Sequence, residues 1–76
     1  MNEVHERKDH FVRHELLQLV RVIDERILKA SYEVHDDGEE FVEIIWAYND
    51  GSSYRVRIRV TADSLKALVR DVLKHI

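Results

Sequence analysis

The spacing of apolar residues predicts a long amphipathic helix early in the chain, over about residues 9–29. At about 100° per residue, one connected stripe collects the apolar positions Val12, Leu16, Leu19, Val20, Ile23 and Ile27. Asn2 is a good N-cap, so the helix is expected to begin as early as residue 3. The stripe is wide, which leaves two interpretations: a helix sunk deep in its own core, or one whose second edge meets another subunit.

After Ser31 the apolar period changes from that of a helix to the two-residue period of a β-strand. Three strands are predicted, over about residues 31–35, 40–48 and 53–60. The sequences between them, Asp36-Asp37-Gly38 and Asn49-Asp50-Gly51, are typical of turns.

The second hairpin has a testable register. A two-residue loop would place Trp46 opposite Arg55, whereas a three-residue Asn49-Asp50-Gly51 loop places Trp46 opposite Tyr54. The longer loop gathers all the large apolar side chains on one face and sets Glu43 opposite Arg57, so we expect this register. Such a loop requires a left-handed residue at its last position, which Gly51 supplies.

A second amphipathic helix is predicted at the end of the chain, over about residues 62–75, with Thr61 or Asp63 as its N-cap. The order of elements is therefore α-β-β-β-α. The predicted fold class is α+β, a three-stranded antiparallel sheet with two helices packed on one face.

Composition limits the range of functions. With 76 residues the chain has room for a single domain, residues 1–76. It contains no cysteine, which excludes disulfides, thiolate zinc sites and thiol catalysis. The uncharged stretches, such as Leu16–Val20, are far too short to cross a membrane, and the N-terminus lacks the apolar run of a secretory signal. We therefore expect a cytoplasmic protein with no contact to a membrane.

The net charge of −3 conceals a separation of charge along the chain. Residues 1–30 sum to zero, residues 31–50 to −7 and residues 51–76 to +4. A nucleic-acid-binding domain usually has a clear basic excess, which the whole chain lacks. A local basic surface is still present.

That surface is an arginine ladder on the third strand, formed by Arg55, Arg57 and Arg59. Three guanidinium groups on one strand face are suited to bind phosphates or carboxylates, or they are simply a solvated face. The predicted register places the apolar residues Phe41, Ile45 and Ala47 on the same face. Apolar residues flanked by arginines are typical of an interface, so these three are candidate dimer contacts.

A second candidate site is an acidic lobe at the first turn, formed by Asp36, Asp37, Glu39 and Glu40. Such a lobe is suited to a basic protein partner, or to the arginine ladder of a second copy. Its spacing lacks the alternating carboxylates of a calcium loop. The other interpretation is a solvated turn.

Other chemistry is weakly represented. His10 and His14 share a helix face, but with Glu6 they would supply only three metal ligands, and we expect no metal and no cofactor. Neither a phosphate loop nor a known catalytic motif is present, so no catalytic residue and no enzyme activity are predicted.

Two families share the α-β-β-β-α order. The double-stranded-RNA-binding domain does, but its loop histidine and lysine cluster are replaced here by Asp36-Asp37-Gly38 and by the single Lys66. The chain also resembles small phage-encoded anti-CRISPR proteins, inhibitors of the Cas9 nuclease, in its long second strand, Asn49-Asp50-Gly51 hairpin and closing helix. That resemblance implies DNA mimicry by the carboxylates of the acidic lobe.

The sequence thus predicts a small non-enzymatic binding or regulatory protein that occupies a macromolecular partner, such as an inhibitor carried by a phage or mobile element. A protein is the expected partner, and a homodimer is possible. Two alternatives remain: a nucleic-acid-binding module that uses the arginine ladder, and a structural dimer or antitoxin-like interaction module.

Overall fold

The computed structural model describes residues 3–60 and 64–76 and confirms the α+β fold class. The strands form one antiparallel sheet in the order β1-β2-β3. The first helix consists of three consecutive segments, and a second helix closes the chain. The elements are α1 (Glu3–Phe11), a π-helical turn (Val12–Leu16), α2 (Leu17–Ile23), β1 (Ile27–Val34), β2 (Glu40–Ala47), β3 (Ser53–Val60) and α3 (Leu65–Leu73).

The predicted register of the β2–β3 hairpin is confirmed. Trp46 pairs with Tyr54, and their rings stack at 5.6 Å between centroids, while Glu43 pairs with Arg57. The loop closes as a three-residue turn, in which Gly51 has φ +90°. The Tyr48 amide donates to the Ser52 carbonyl oxygen at 2.7 Å, and the Gly51 amide donates to the Tyr48 carbonyl oxygen at 3.2 Å.

Replacing Gly51 by alanine is expected to lower the free energy of unfolding by about 1–2 kcal/mol, because a Cβ disfavours positive φ. Beyond Gly51 and its two chain neighbours, no atom lies within 4 Å of the position that this Cβ would occupy, so the loss arises from the backbone conformation. Urea unfolding measures it. Gly51→Asn is the matched control and should lose less, since asparagine tolerates the left-handed region. Equal stability of the alanine variant and the parent would contradict this account of the loop.

The first helix ends at Ile23, six residues before its predicted end at Lys29. Asp24 takes an extended conformation, and its carboxylate accepts a hydrogen bond from the Arg26 amide at 3.0 Å. The Ile27 amide then donates to the Asp24 carbonyl oxygen at 3.1 Å, which turns the chain into β1. Ile27 is four residues after Ile23 and so extended the helical stripe in the sequence, but it is buried as the first residue of a strand.

The π-helical turn changes which side of the first helix faces the core. A π-helical turn contains about one residue more than an α-helical turn, so later residues lag by about 100°. This lag keeps Val12, Leu16 and Val20 fully buried. It also turns Leu19 and Ile23, which were predicted within the stripe, toward solvent, where they are 42% and 56% exposed.

The core lies on the side of the sheet that carries the even-numbered residues of β2 and β3. Both helices contribute buried side chains to the same cluster. Ser64 caps α3, its hydroxyl accepting a hydrogen bond from the Ala67 amide at 3.2 Å. The predicted caps Asn2, Thr61 and Asp63 lie outside the described residues. The fully buried members of the core include Val12, Leu16, Val20, Ile27, Val42, Ile44, Leu68 and Val72.

Candidate interaction surface on the outer sheet face

The side of the sheet away from the core carries the odd-numbered residues of β2 and β3, since side chains alternate along a strand. We call it the outer face. Phe41, Ile45 and Ala47, the predicted interface residues, lie there and are half-buried. The arginines of the predicted ladder lie beside them on the edge strand and are exposed. The outer face comprises Lys29, Ser31, Glu33, Phe41, Glu43, Ile45, Ala47, Ser53, Arg55, Arg57 and Arg59.

The arginine ladder is matched by glutamates of the same chain. Arg57 lies between two carboxylates, with nitrogen–oxygen distances of 3.5 Å to Glu33 and 3.5 Å to Glu43. Arg55 is 3.9 Å from Glu43, and Arg59 is 2.8 Å from Glu39. The charges that the sequence separates into an acidic and a basic segment are therefore brought together by the sheet.

The centre of this network is Glu43, which is buried although it lies on the outer face. The side chains of Arg55 and Arg57 approach the same carboxylate oxygen from β3. Because the cationic partner of each pair is exposed, ion pairs of this kind contribute little to stability, about 0–1 kcal/mol each. Arg55 and Arg59 keep most of their surface in solvent, with side chains 66% and 67% exposed. Their guanidinium groups therefore retain donors for a partner.

The four residues of the predicted acidic lobe have different surroundings. Asp36 and Asp37 are exposed in the β1–β2 turn, where Asp37 accepts a hydrogen bond from the Glu39 amide at 2.9 Å. Glu39 belongs to the outer-face network through Arg59. Glu40 contacts the first helix instead. Only Asp36 and Asp37 thus present carboxylates at the tip of the turn, beside an open depression lined by Val34 and His35.

Glu40 joins the first helix to the sheet. Its carboxylate accepts hydrogen bonds from the Lys8 ammonium at 2.7 Å and from the Tyr32 hydroxyl. Burial raises the pKa of Glu40. The Lys8 ammonium, the Tyr32 hydroxyl and the charge of His5 together lower this pKa by more than burial raises it, so the pKa of Glu40 lies below its usual value. Burial and the bond to Glu40 raise the pKa of Tyr32. Sequence patterning did not reveal this cluster, because its members are far apart in the chain.

Asp24 is a second residue with several polar contacts that the sequence analysis did not identify. Its carboxylate binds the Arg26 guanidinium at 2.9 and 3.0 Å and accepts a bond from the Trp46 indole at 3.2 Å. The hydrogen bonds from Arg26 lower the pKa of Asp24 to about 2. An aspartate directly after an apolar helical stripe, followed by polar residues, is the signal that was available for this turn.

Two further features bear on the functions that the sequence left open. The rings of His10 and His14 lie 4.4 Å apart, but the described part of the chain contains no group of three or more metal-ligating side chains. In residues 3–60 and 64–76, no helix combines the length and apolar character needed to cross a membrane.

The search for similar proteins gives no relative from which a function could be carried over. No family model, curated protein or solved structure matches the chain.

Proposed function

We propose that the chain is a small non-enzymatic binding protein that acts by occupying a protein partner through the outer face of its sheet. The observation that carries the proposal is the placement of Phe41, Ile45 and Ala47, half-buried apolar residues between charged pairs. Both helices bury their side chains in the cluster on the opposite side. An apolar centre with a charged rim is the usual composition of a protein interface.

The charge network favours a protein over a nucleic acid as the partner. Phosphate binding depends on unneutralised cationic charge, and each arginine of the ladder has a glutamate within 4 Å. A surface with charges of alternating sign is suited to a protein partner whose charged residues are complementary to it.

The proposed absence of catalysis is supported by the positions of the hydroxyl groups. Ser64 caps α3, and the Ser52 hydroxyl donates to Asp50 at 2.6 Å within the hairpin loop. Both hydroxyl groups are thus engaged locally, one at a helix cap and one with a carboxylate of the hairpin loop. The depression at the β1–β2 turn is open to solvent, whereas substrates are commonly held in enclosed clefts.

A structural dimer is a second candidate, favoured by a different observation. Leu19, Val22 and Ile23 are exposed at spacings of three and four residues and so form one apolar side of α2. A second copy of the chain could bury this side.

Photocrosslinking tests the proposal. With a benzophenone amino acid at position 45, the chain expressed in its native host is expected to give one discrete adduct with another protein. The same probe at Lys66, exposed on α3, is the matched control and should give no such adduct. Tryptic mass spectrometry identifies the crosslinked species.

Three outcomes would contradict the proposal: no adduct at position 45, equal adducts at positions 45 and 66, or an adduct with nucleic acid. A self-adduct obtained with the probe at Val22, together with none at position 45, would instead support the structural dimer.

A further inference from the structure

The far edge of β3 is open. Because the sheet order is β1-β2-β3, β3 pairs on one side only, and no strand in residues 3–60 or 64–76 pairs with its other side. The strand is eight residues long. An edge of this length presents a row of backbone donors and acceptors to which an extended chain can be added.

The hairpin closure identifies the residues whose backbone groups form this row. Tyr48 and Ser52 are a hydrogen-bonded pair, and hydrogen-bonded and non-hydrogen-bonded pairs alternate along an antiparallel ladder. The even-numbered residues of β3 therefore bond to β2. The N–H and C=O groups that point to the open edge belong to Ser53, Arg55, Arg57 and Arg59.

The residues with outward backbone groups are thus the same residues whose side chains form the arginine ladder. In an added antiparallel strand, the residue directly opposite each arginine would exchange two backbone hydrogen bonds with it and would place its side chain on the same face. The favoured side chain at those positions is a carboxylate. Glu43 of β2 already lies opposite Arg57 on the other side of β3, as a non-hydrogen-bonded pair whose side chains form an ion pair.

The alternate positions of an added strand would lie on the core side of the sheet. There Tyr54 and Val56 pack against the core but are only half-buried, unlike Ile58 and Val60. Apolar side chains next to Tyr54 and Val56 would extend the core at this end of the strand.

The same edge is unsuited to a second copy of itself. An antiparallel pairing of two β3 strands would place arginine opposite or diagonal to arginine, and like charges in cross-strand positions are destabilising. Edge arginines therefore disfavour self-association through β3 and favour a partner of opposite charge.

We propose that the open edge of β3 binds an extended, antiparallel segment of a partner protein that alternates acidic and apolar residues. Its carboxylates face Arg55, Arg57 and Arg59, and its apolar residues lie beside Tyr54 and Val56. This inference rests on the proposed function, since it names the class of partner that the outer face and its edge would recognise.

The test uses a fluorescent peptide of about nine residues that alternates glutamate and valine, matched to the length of β3. Anisotropy should show saturable binding, about tenfold tighter than that of a peptide of the same composition with its glutamates in one block. N-methylation of the central glutamates should weaken binding by about tenfold, because their amides bond to β3. The same modification of the central valines, whose amides point away, should leave binding unchanged.

Charge-matched variants separate edge recognition from general attraction. R55Q/R59Q should lose about tenfold in affinity, and R70Q/K74Q on α3 should lose little. Hydrogen–deuterium exchange of the Arg55, Arg57 and Arg59 amides should slow on binding, while the Tyr54 and Val56 amides, already bonded to β2, should not change. Equal effects of the two double variants, equal binding of the block peptide, or indifference to glutamate N-methylation would overturn the inference.

The two proposals fail separately. A protein adduct at position 45 with no peptide binding would retain the outer face as a binding surface and remove the edge-strand mode. Peptide binding that meets these criteria, without any protein adduct at position 45, would retain the edge and remove the proposed function of the outer face.

Discussion

Replacing Ile44 by alanine is expected to lower the free energy of unfolding by about 2–5 kcal/mol, whereas the same replacement of the adjacent Ile45 should cost about 1 kcal/mol or less. Ile44 is fully buried at the centre of β2, and its truncation leaves a cavity in a close-packed core. Ile45 is half-buried on the outer face, where its environment can relax.

The loss expected for Ile44→Ala is large relative to the total free energy of unfolding. A chain of this length has a total stability of about 4–11 kcal/mol, so the Ile44 variant should be partly unfolded under mild conditions. Urea unfolding followed by Trp46 fluorescence measures both variants. The variants are matched controls for each other, because the residue type, the strand and the number of atoms removed are the same. Similar losses at both positions would mean that the two faces of β2 are not distinguished as described.

The pair also separates stability from binding. Ile45→Ala should weaken the proposed partner interaction, because it removes the apolar centre of the outer face while the fold remains. The opposite result would argue against the outer face as the binding surface: folded Ile44→Ala, kept at a urea concentration below its unfolding transition, loses partner binding, and Ile45→Ala retains it.

The second large effect is expected at the cluster of Lys8, Glu40 and Tyr32. Lys8→Met should lower the free energy of unfolding by about 2–4 kcal/mol, because it leaves the Glu40 carboxylate in a site where its side chain is only 17% exposed and its cationic partner is missing. Adding Glu40→Gln should restore most of the loss. The amide is neutral, and its oxygen can still accept the Tyr32 hydroxyl.

The same cluster gives a pH dependence of known sign. The pKa of Glu40 is lower in the folded chain than its ordinary value of 4.5, so the folded state favours the charged carboxylate. This contribution to stability is complete above pH 4.5 and is lost as pH falls through the folded pKa.

Urea unfolding between pH 3 and pH 7 measures this dependence, and the range brackets the ordinary pKa of a glutamate. Glu40→Gln should show a shallower acid loss than the parent, since the glutamine does not titrate. Glu39→Gln is the matched control at the neighbouring position, because Glu39 pairs with an exposed arginine and should change the profile little. An unchanged acid profile in Glu40→Gln, or a stability of Lys8→Met/Glu40→Gln no better than that of Lys8→Met, would contradict the proposed role of the cluster.

The fold could be predicted from the sequence where a local pattern is compatible with a single arrangement of the chain. The alternation of Tyr54 to Val60, together with Gly51 at the end of the loop, permits only one register that keeps the apolar residues on one face. The end of the first helix was not accessible in this way. Ile27 satisfies the helical period and the strand period alike, and the decisive contact is the bond of Asp24 to the Arg26 amide.

The candidate site was only partly predictable for a related reason. The register alone placed Phe41, Ile45 and Arg57 on one face, as the structure has them. The division of the acidic lobe depends instead on tertiary partners. Strand alternation separates Glu40 from Glu39, but the partner of Glu40 is Lys8, which is 32 residues earlier in the chain and which no local pattern identifies.

The π-helical turn has a consequence for how the chain can vary in length. This turn contains about one residue more than an α-helical turn of similar rise, so one residue between α1 and α2 is in excess of what a regular helix would need. Removal of one codon there would leave a regular helix of nearly equal length in which α2 keeps its rotation, because the deletion sets the later residues back by the same 100° as the π-helical turn. Val20 would stay at the core, and Leu19 and Ile23 would stay toward solvent, so this helix is suited to absorb a one-residue deletion that would rotate the end of a regular helix by about 100°.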